Sequence, residues 1–100
     1  LAKFEEVYEE WLHHNIVGES NHRRRELLEK GLGHGTVEFL RIVWYPVIKN
    51  FNHLYPEWEV RDFHAGYRYL DLAYMPGGVK GGIEIQGYGP HARDLDVKRF

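Results

Sequence analysis

Residues 67–88 read YRYLDLAYMPGGVKGGIEIQGY, two runs rich in aromatic and β-branched residues joined by MPGG. Such runs favour strands, and Pro-Gly-Gly supplies the tight turn of a hairpin, so the pair is predicted to be antiparallel neighbours. Alternate side chains of a strand share a face. Ile83 and Ile85 therefore point one way, and Glu84 and Gln86 the other. Asp71 sits between Leu70 and Leu72 on the preceding strand. Across the hairpin, Asp71 and Glu84 are expected within a few ångströms of each other on one face. Burying a carboxylate without a partner costs roughly several kcal/mol, so the two acids call for an explanation.

Outward from this hairpin, WEVRDFH (58–64) and the turn HAG read as a further strand. Upstream the period changes from two to that of a helix. Phe4, Val7, Tyr8, Trp11 and Leu12 form one stripe, with Glu5, Glu6, Glu9 and Glu10 on the other face. Gly18 breaks this helix. Ser20 is expected to cap a second one running to about residue 30, with Gly31 as its stop. Thr36 is expected to cap a third, in which Val37, Leu40, Trp44, Val47 and Phe51 make an apolar stripe. Pro46 lacks an N–H and predicts a kink or split near Tyr45. His91 to Phe100 reads as a last helix. The order is α-α-α-β-β-β-α, an α+β fold: N-terminal helices, then a three-stranded antiparallel β-meander flanked by helices. Residues 1–31 read as a helical arm and 32–100 as the core.

One hundred residues are enough for one modest core. The formal net charge of -2 argues against a wholesale polycationic nucleic-acid binder, so any basic surface is local. With no cysteine, disulfide frameworks and thiolate metal sites are excluded, and a cytoplasmic location is compatible. No apolar run approaches the ~18 residues of a membrane span, and no signal peptide opens the chain. The chain starts at Leu1 and ends in the helical-looking DLDVKRF, which suggests a fragment of a longer protein.

Two carboxylates a few ångströms apart repel, and a proton or a cation resolves the repulsion. A hard cation such as Mg²⁺ or Mn²⁺ suits an all-oxygen site made of Asp71, Glu84 and the backbone carbonyl of Ile85. Structural salt bridges, of Asp71 with Arg68 or of Glu84 with Lys80, are the alternative. The segment 69–99 as a whole resembles the core of the PD-(D/E)xK, or restriction-endonuclease-like, superfamily, and more narrowly its very-short-patch-repair-like branch. The likeness rests on Asp71, then Glu84-x-Gln86, Gly87, His91, and the D-x-x-R of Asp96 and Arg99, with Glu38 in the place of a helix acid near the metal. It spans residues 36–100. Gln86 stands where the family signature has lysine, and the family core continues into a further strand.

The resemblance implies a metal-dependent endonuclease that hydrolyses DNA phosphodiester bonds. Asp71 and Glu84 would hold the metal, Gln86 would orient water or touch phosphate, Glu38 would reach the metal's water shell, and His91 would donate a proton or hydrogen bond. Loss of the lysine charge leaves a second reading, a catalytically inactive DNA-binding or regulatory module. In a third, the aromatic-striped first helix is an assembly surface and the acids form ion pairs. The run His22, Arg23, Arg24 and Arg25 is the dense cationic stretch suited to phosphate contact, although four successive helical residues cannot share a face. DNA is thus the expected partner, and a homodimer completing the core is a further expectation. No H-E-x-x-H spacing, phosphate-binding glycine loop or G-x-S-x-G elbow points to another chemistry.

Overall fold

The computed structural model describes residues 3–64, 66–86 and 94–100. Helix α1 spans Phe4–Val17 and ends at Gly18, whose amide bonds the carbonyl of His14. Helix α2 spans His22–Glu29. Its cap is Asn21 rather than Ser20: the Asn21 Oδ1 accepts from the amides of Arg23 at 2.9 Å and Arg24 at 3.4 Å. The third helical stretch begins earlier than Thr36, which is buried within it. It comprises α3 (His34–Phe39), a π turn (Leu40–Trp44) and α4 (Tyr45–Ile48).

Pro46 explains the π turn. Its ring crowds the carbonyl of Ile42 and offers no N–H, so the backbone widens just before it rather than splitting. A wider turn rotates everything after it. Val47, expected on the inward stripe, is 74% exposed. Phe51 is buried, but from beyond the helix end.

The sheet is antiparallel, in the order β1 (Leu54–Asp62), β2 (Gly66–Tyr74), β3 (Gly81–Gln86) and β4 (Asp94–Arg99). It has four strands where three were expected. The helix anticipated from His91 to Phe100 is replaced over 94–99 by β4, and residues 91–93 lie outside those described. Leu95 and Val97 alternate with Asp96 and Lys98, a period of two. They stand opposite Ile85 and Ile83. Asp96 and Arg99 accordingly lie on a strand and do not open a helix.

Helices α1 and α2 contribute Tyr8, Leu12 and Leu28 to the core that holds Leu40, Phe51, Leu54, Leu72 and Ile83. The aromatic stripe of α1 is used internally: the Trp11 ring packs tilted against Phe51 with centroids 4.8 Å apart, and its Nε1 donates to the Leu54 carbonyl at 2.8 Å. Among the described residues no helix is long and apolar enough to cross a membrane.

The β1–β2 ladder changes face midway. Leu54, Leu72 and Tyr74 look toward the helices. Leu70, two residues from Leu72, instead lies on the other side of the sheet. There its Cδ1 would meet a Cβ on Gly82 at 2.9 Å, next to the Phe100 ring. Conversely Glu59 faces the helices, where it accepts from the Asn21 side chain. In a regular strand residues two apart share a face, so one irregularity must intervene. It falls at Glu57 and Asp71, the level between the pairs Pro56↔Leu72 and Trp58↔Leu70. Glu57 has φ of 48°, in the left-handed region that a non-glycine residue seldom adopts.

Candidate functional site

Asp71 sits at this change of face and is half-buried. Regular pairing of β2 with β3 runs from Tyr74↔Gly81 to Leu72↔Ile83. One step further, where Asp71 would stand opposite Glu84, the ladder gives way to a side chain: Asp71 Oδ2 accepts the amide of Ile85 at 2.8 Å. A carboxylate thus takes the place of a backbone carbonyl. It ties the β2 acid to the residue between Glu84 and Gln86.

Glu84 faces the side of the sheet away from the helices, alongside Leu70 and Gly82. Its Oε1 accepts from Arg68 Nη1 at 2.9 Å. Arg68 also lies 3.7 Å from Asp62. The hairpin does bring Asp71 and Glu84 to neighbouring positions, yet each carboxylate has its own donor. The salt bridge formed, Arg68–Glu84, is neither of the two read as alternatives: Arg68 takes the glutamate of β3 rather than Asp71. Gln86 is exposed at the end of β3.

The electrostatics mark Asp71 out. Burial pushes its carboxyl above the ordinary carboxylate range, the Ile85 amide opposes this, and the charge of Glu84 adds to the rise. Glu57 is raised in the same way, first by burial and then by Asp71, with Arg24 opposing. The charge of Glu84 is thus felt at Asp71, and that of Asp71 at Glu57, around one break in the sheet. Glu57 was missed in the sequence because the strand was started at Trp58. The signal that locates it is register: counting along the ladder from Asp62↔Gly66 sets residue 57 opposite residue 71.

Arg24, expected to contact DNA, is buried and fully engaged inside the protein. Its guanidinium donates to the Pro56 carbonyl at 2.8 Å, the Glu57 carbonyl at 2.9 Å and Asn15 Oδ1 at 3.1 Å. It also pairs with Glu19 and lies 5.3 Å from the centre of the Trp58 ring. Burial alone would raise the Glu19 carboxyl, but the Asn21 amide and the Arg24 guanidinium together hold it below the usual range. Arg24 thereby fastens the strained Glu57 backbone to α2. His22, Arg23 and Arg25 remain exposed, with Arg25 3.9 Å from Glu29.

Glu38 makes its ion pair within its own helical stretch. It pairs with Arg41, whose hydrogen bond lowers its carboxyl below the usual range. It lines an apolar groove of about 240 Å³ with Phe39, Ile42, Val43, Ile85 and Leu95. Asp96 stands opposite Glu84 on β4, 3.3 Å from Lys98. Gly87 and His91 lie outside the described residues. Among the described residues, no three His, Asp or Glu side chains converge as a preformed metal site.

Compared with protein-family models, with curated proteins and with solved structures, the chain matches none.

Proposed function

We propose that this chain is the core of a divalent-cation-dependent DNA phosphodiesterase with a restriction-endonuclease-like fold. The observation that carries the proposal is the Asp71–Ile85 hydrogen bond, which locks the acid of one strand onto the Glu-x-Gln segment of the next. The donor set fits a hard cation: the carboxylates of Asp71 and Glu84 and the Ile85 carbonyl are all oxygen ligands, as Mg²⁺ and Mn²⁺ require. Asp71, crowded by burial and by Glu84, is in the electrostatic state that positive charge relieves. A cation held there would polarise a phosphate oxygen and lower the pKa of a bound water.

The protein's own groups would do the rest. Glu84 would leave Arg68 to serve the cation, which frees the guanidinium for a non-bridging phosphate oxygen. Gln86, exposed at the end of β3, would orient the attacking water through its amide without adding charge. His22, Arg23 and Arg25 would meet the phosphate backbone. Glu38 would act only after releasing Arg41. The second reading, a DNA-binding module without cleavage, is favoured by the neutral Gln86 and by the existing Arg68–Glu84 pair.

Supercoiled plasmid incubated with Mg²⁺ or Mn²⁺ tests the proposal. Nicking is expected from the wild type and loss of about 100-fold or more from Glu84→Gln and Asp71→Asn, which retain shape while removing charge. Plasmid binding without cleavage by any of the three would establish the second reading. No binding at all would sink both.

A further inference from the structure

Strand β4 is one of the two edges of the sheet, and among the described residues no strand pairs with its outer side. Its hydrogen-bonding phase follows from Asp71. The amide of Ile85 turns toward β2, because it donates to Asp71 there. In a strand, the N–H and C=O of one residue leave on the same side, and the side alternates along the chain. Ile83 and Ile85 therefore address β2, while Glu84 addresses β4. Their β4 partners Val97 and Leu95 consequently turn their own N–H and C=O to the open edge, and Asp96 and Lys98 bond inward. The Phe100 amide, donating to the Lys80 carbonyl at 2.9 Å, continues that phase.

The same residues are apolar and uncovered. Leu95 and Val97 share the helix side of the sheet with Ile85, and are 40% and 64% exposed. Above them Ile42 and Val43, 57% and 50% exposed, wall the groove that Leu95 floors. An unpaired edge beside an apolar groove is a surface that proteins pair or cover.

We propose that β4 pairs antiparallel with β4 of a second copy, about a two-fold axis through Val97. Only registers that set outward-facing residues opposite one another can hydrogen-bond, which restricts the axis to a residue rather than a gap between residues. An axis through Asp96 sets that carboxylate against itself, and one through Lys98 does the same for the ammonium. The axis through Val97 sets Asp96 opposite the copy's Lys98, twice by symmetry, with Val97 against Val97 and Leu95 against Arg99. Opposite charges face to face stabilise a strand pair and like charges destabilise it. Charge thus selects both the occupant and the register. Lys98, which pairs with Asp96 in its own chain, would exchange that contact for the one across the axis. Because the axis stands perpendicular to the sheet, both helix layers stay on one side and the two Ile42–Val43 grooves close over Leu95 and Val97. This pairing does not depend on the phosphodiesterase proposal.

Sedimentation velocity up to about 100 μM should show a reversible dimer, a range in which edge pairing of modest area is detectable. Asp96→Lys should weaken it about tenfold, since two symmetric attractions become repulsions. The double substitution Asp96→Lys, Lys98→Asp should return the constant to within about threefold of wild type. Val97→Pro should abolish the dimer while circular dichroism stays unchanged, because the lost amide is one that β3 does not use. A chain that stays monomeric overturns the proposal, as would be seen if another segment or partner covers this edge. So does a dimer indifferent to Val97→Pro, or a double variant as weak as the single one.

Discussion

The two halves of the β1–β2 ladder are built from the same kinds of residue and do different work. Near Pro56 and Leu72 the strands are regular and press their side chains into the helices. Beyond Glu57 and Asp71 the faces are exchanged, Leu70 looks away from the helices, and charged residues gather: Glu59 with Asn21, Arg68 with Glu84. The first half is a core and the second is a surface carrying acids at defined positions. What divides them is a residue at φ of 48° whose carbonyl is pinned by a buried arginine.

The most direct way to break the contrast is to truncate one leucine from each half. Leu72→Ala opens a cavity in the main core and should cost about 4 kcal/mol in chemical denaturation, while Leu70→Ala, under a thinner cover, should cost about 2 kcal/mol. Equal losses would mean that both faces are packed alike. A smaller effect of opposite sign sharpens the point at the divide. Glu57→Gly suits the left-handed backbone and removes a charge beside Asp71, so stability should rise by about 1 kcal/mol. Glu59→Gly, in ordinary strand geometry, should lower it by a similar amount.

The smallest predicted effect is in pH dependence. The folded Asp71 carboxyl binds its proton more tightly than the unfolded one, whose pKa is near 3.8. Between those values the native state carries the extra proton, so stability falls as pH rises through the window above 3.8 and levels off beyond the folded pKa. Asp71→Asn keeps an oxygen for the Ile85 amide and has no proton to lose. The difference between the two stability curves should therefore grow with pH and then become constant, with the variant the more stable at neutrality. A difference curve that is flat from pH 3 to 7 would show that the acid is not perturbed.

Much of the first half was legible in the sequence. The aromatic stripe of α1, the kink-forming Pro46 and the MPGG hairpin each announce themselves through local chemistry, and the hairpin alone brings residues 71 and 84 to neighbouring positions. The second half was not. Its geometry depends on a positive φ at Glu57, and nothing in the string YPEWEV marks that residue as unusual. Arg24 reads like its neighbours in HRRR, and only the tertiary packing against Pro56 and Glu19 separates it from Arg23 and Arg25. Strand β4 is illegible for a different reason. The run DLDVKRF satisfies a helical pattern over so few residues that the alternation of Leu95 and Val97 is equally good, and the open side of β3 decides between them.

The hydrogen bond from Ile85 to Asp71 has a mechanical side. β1–β2 and β3–β4 are stiff blades, joined along a short hinge from Tyr74↔Gly81 to Leu72↔Ile83. Past the hinge they are fastened by two latches, Asp71 on the Ile85 amide and Arg68 on Glu84. Each latch closes on a carboxylate, so a ligand competing for those oxygens would act on the outer corner and leave the three backbone-paired levels behind it untouched. Prying the sheet apart there means undoing side-chain bonds rather than a backbone ladder, and that corner is where Gln86 and Arg68 stand.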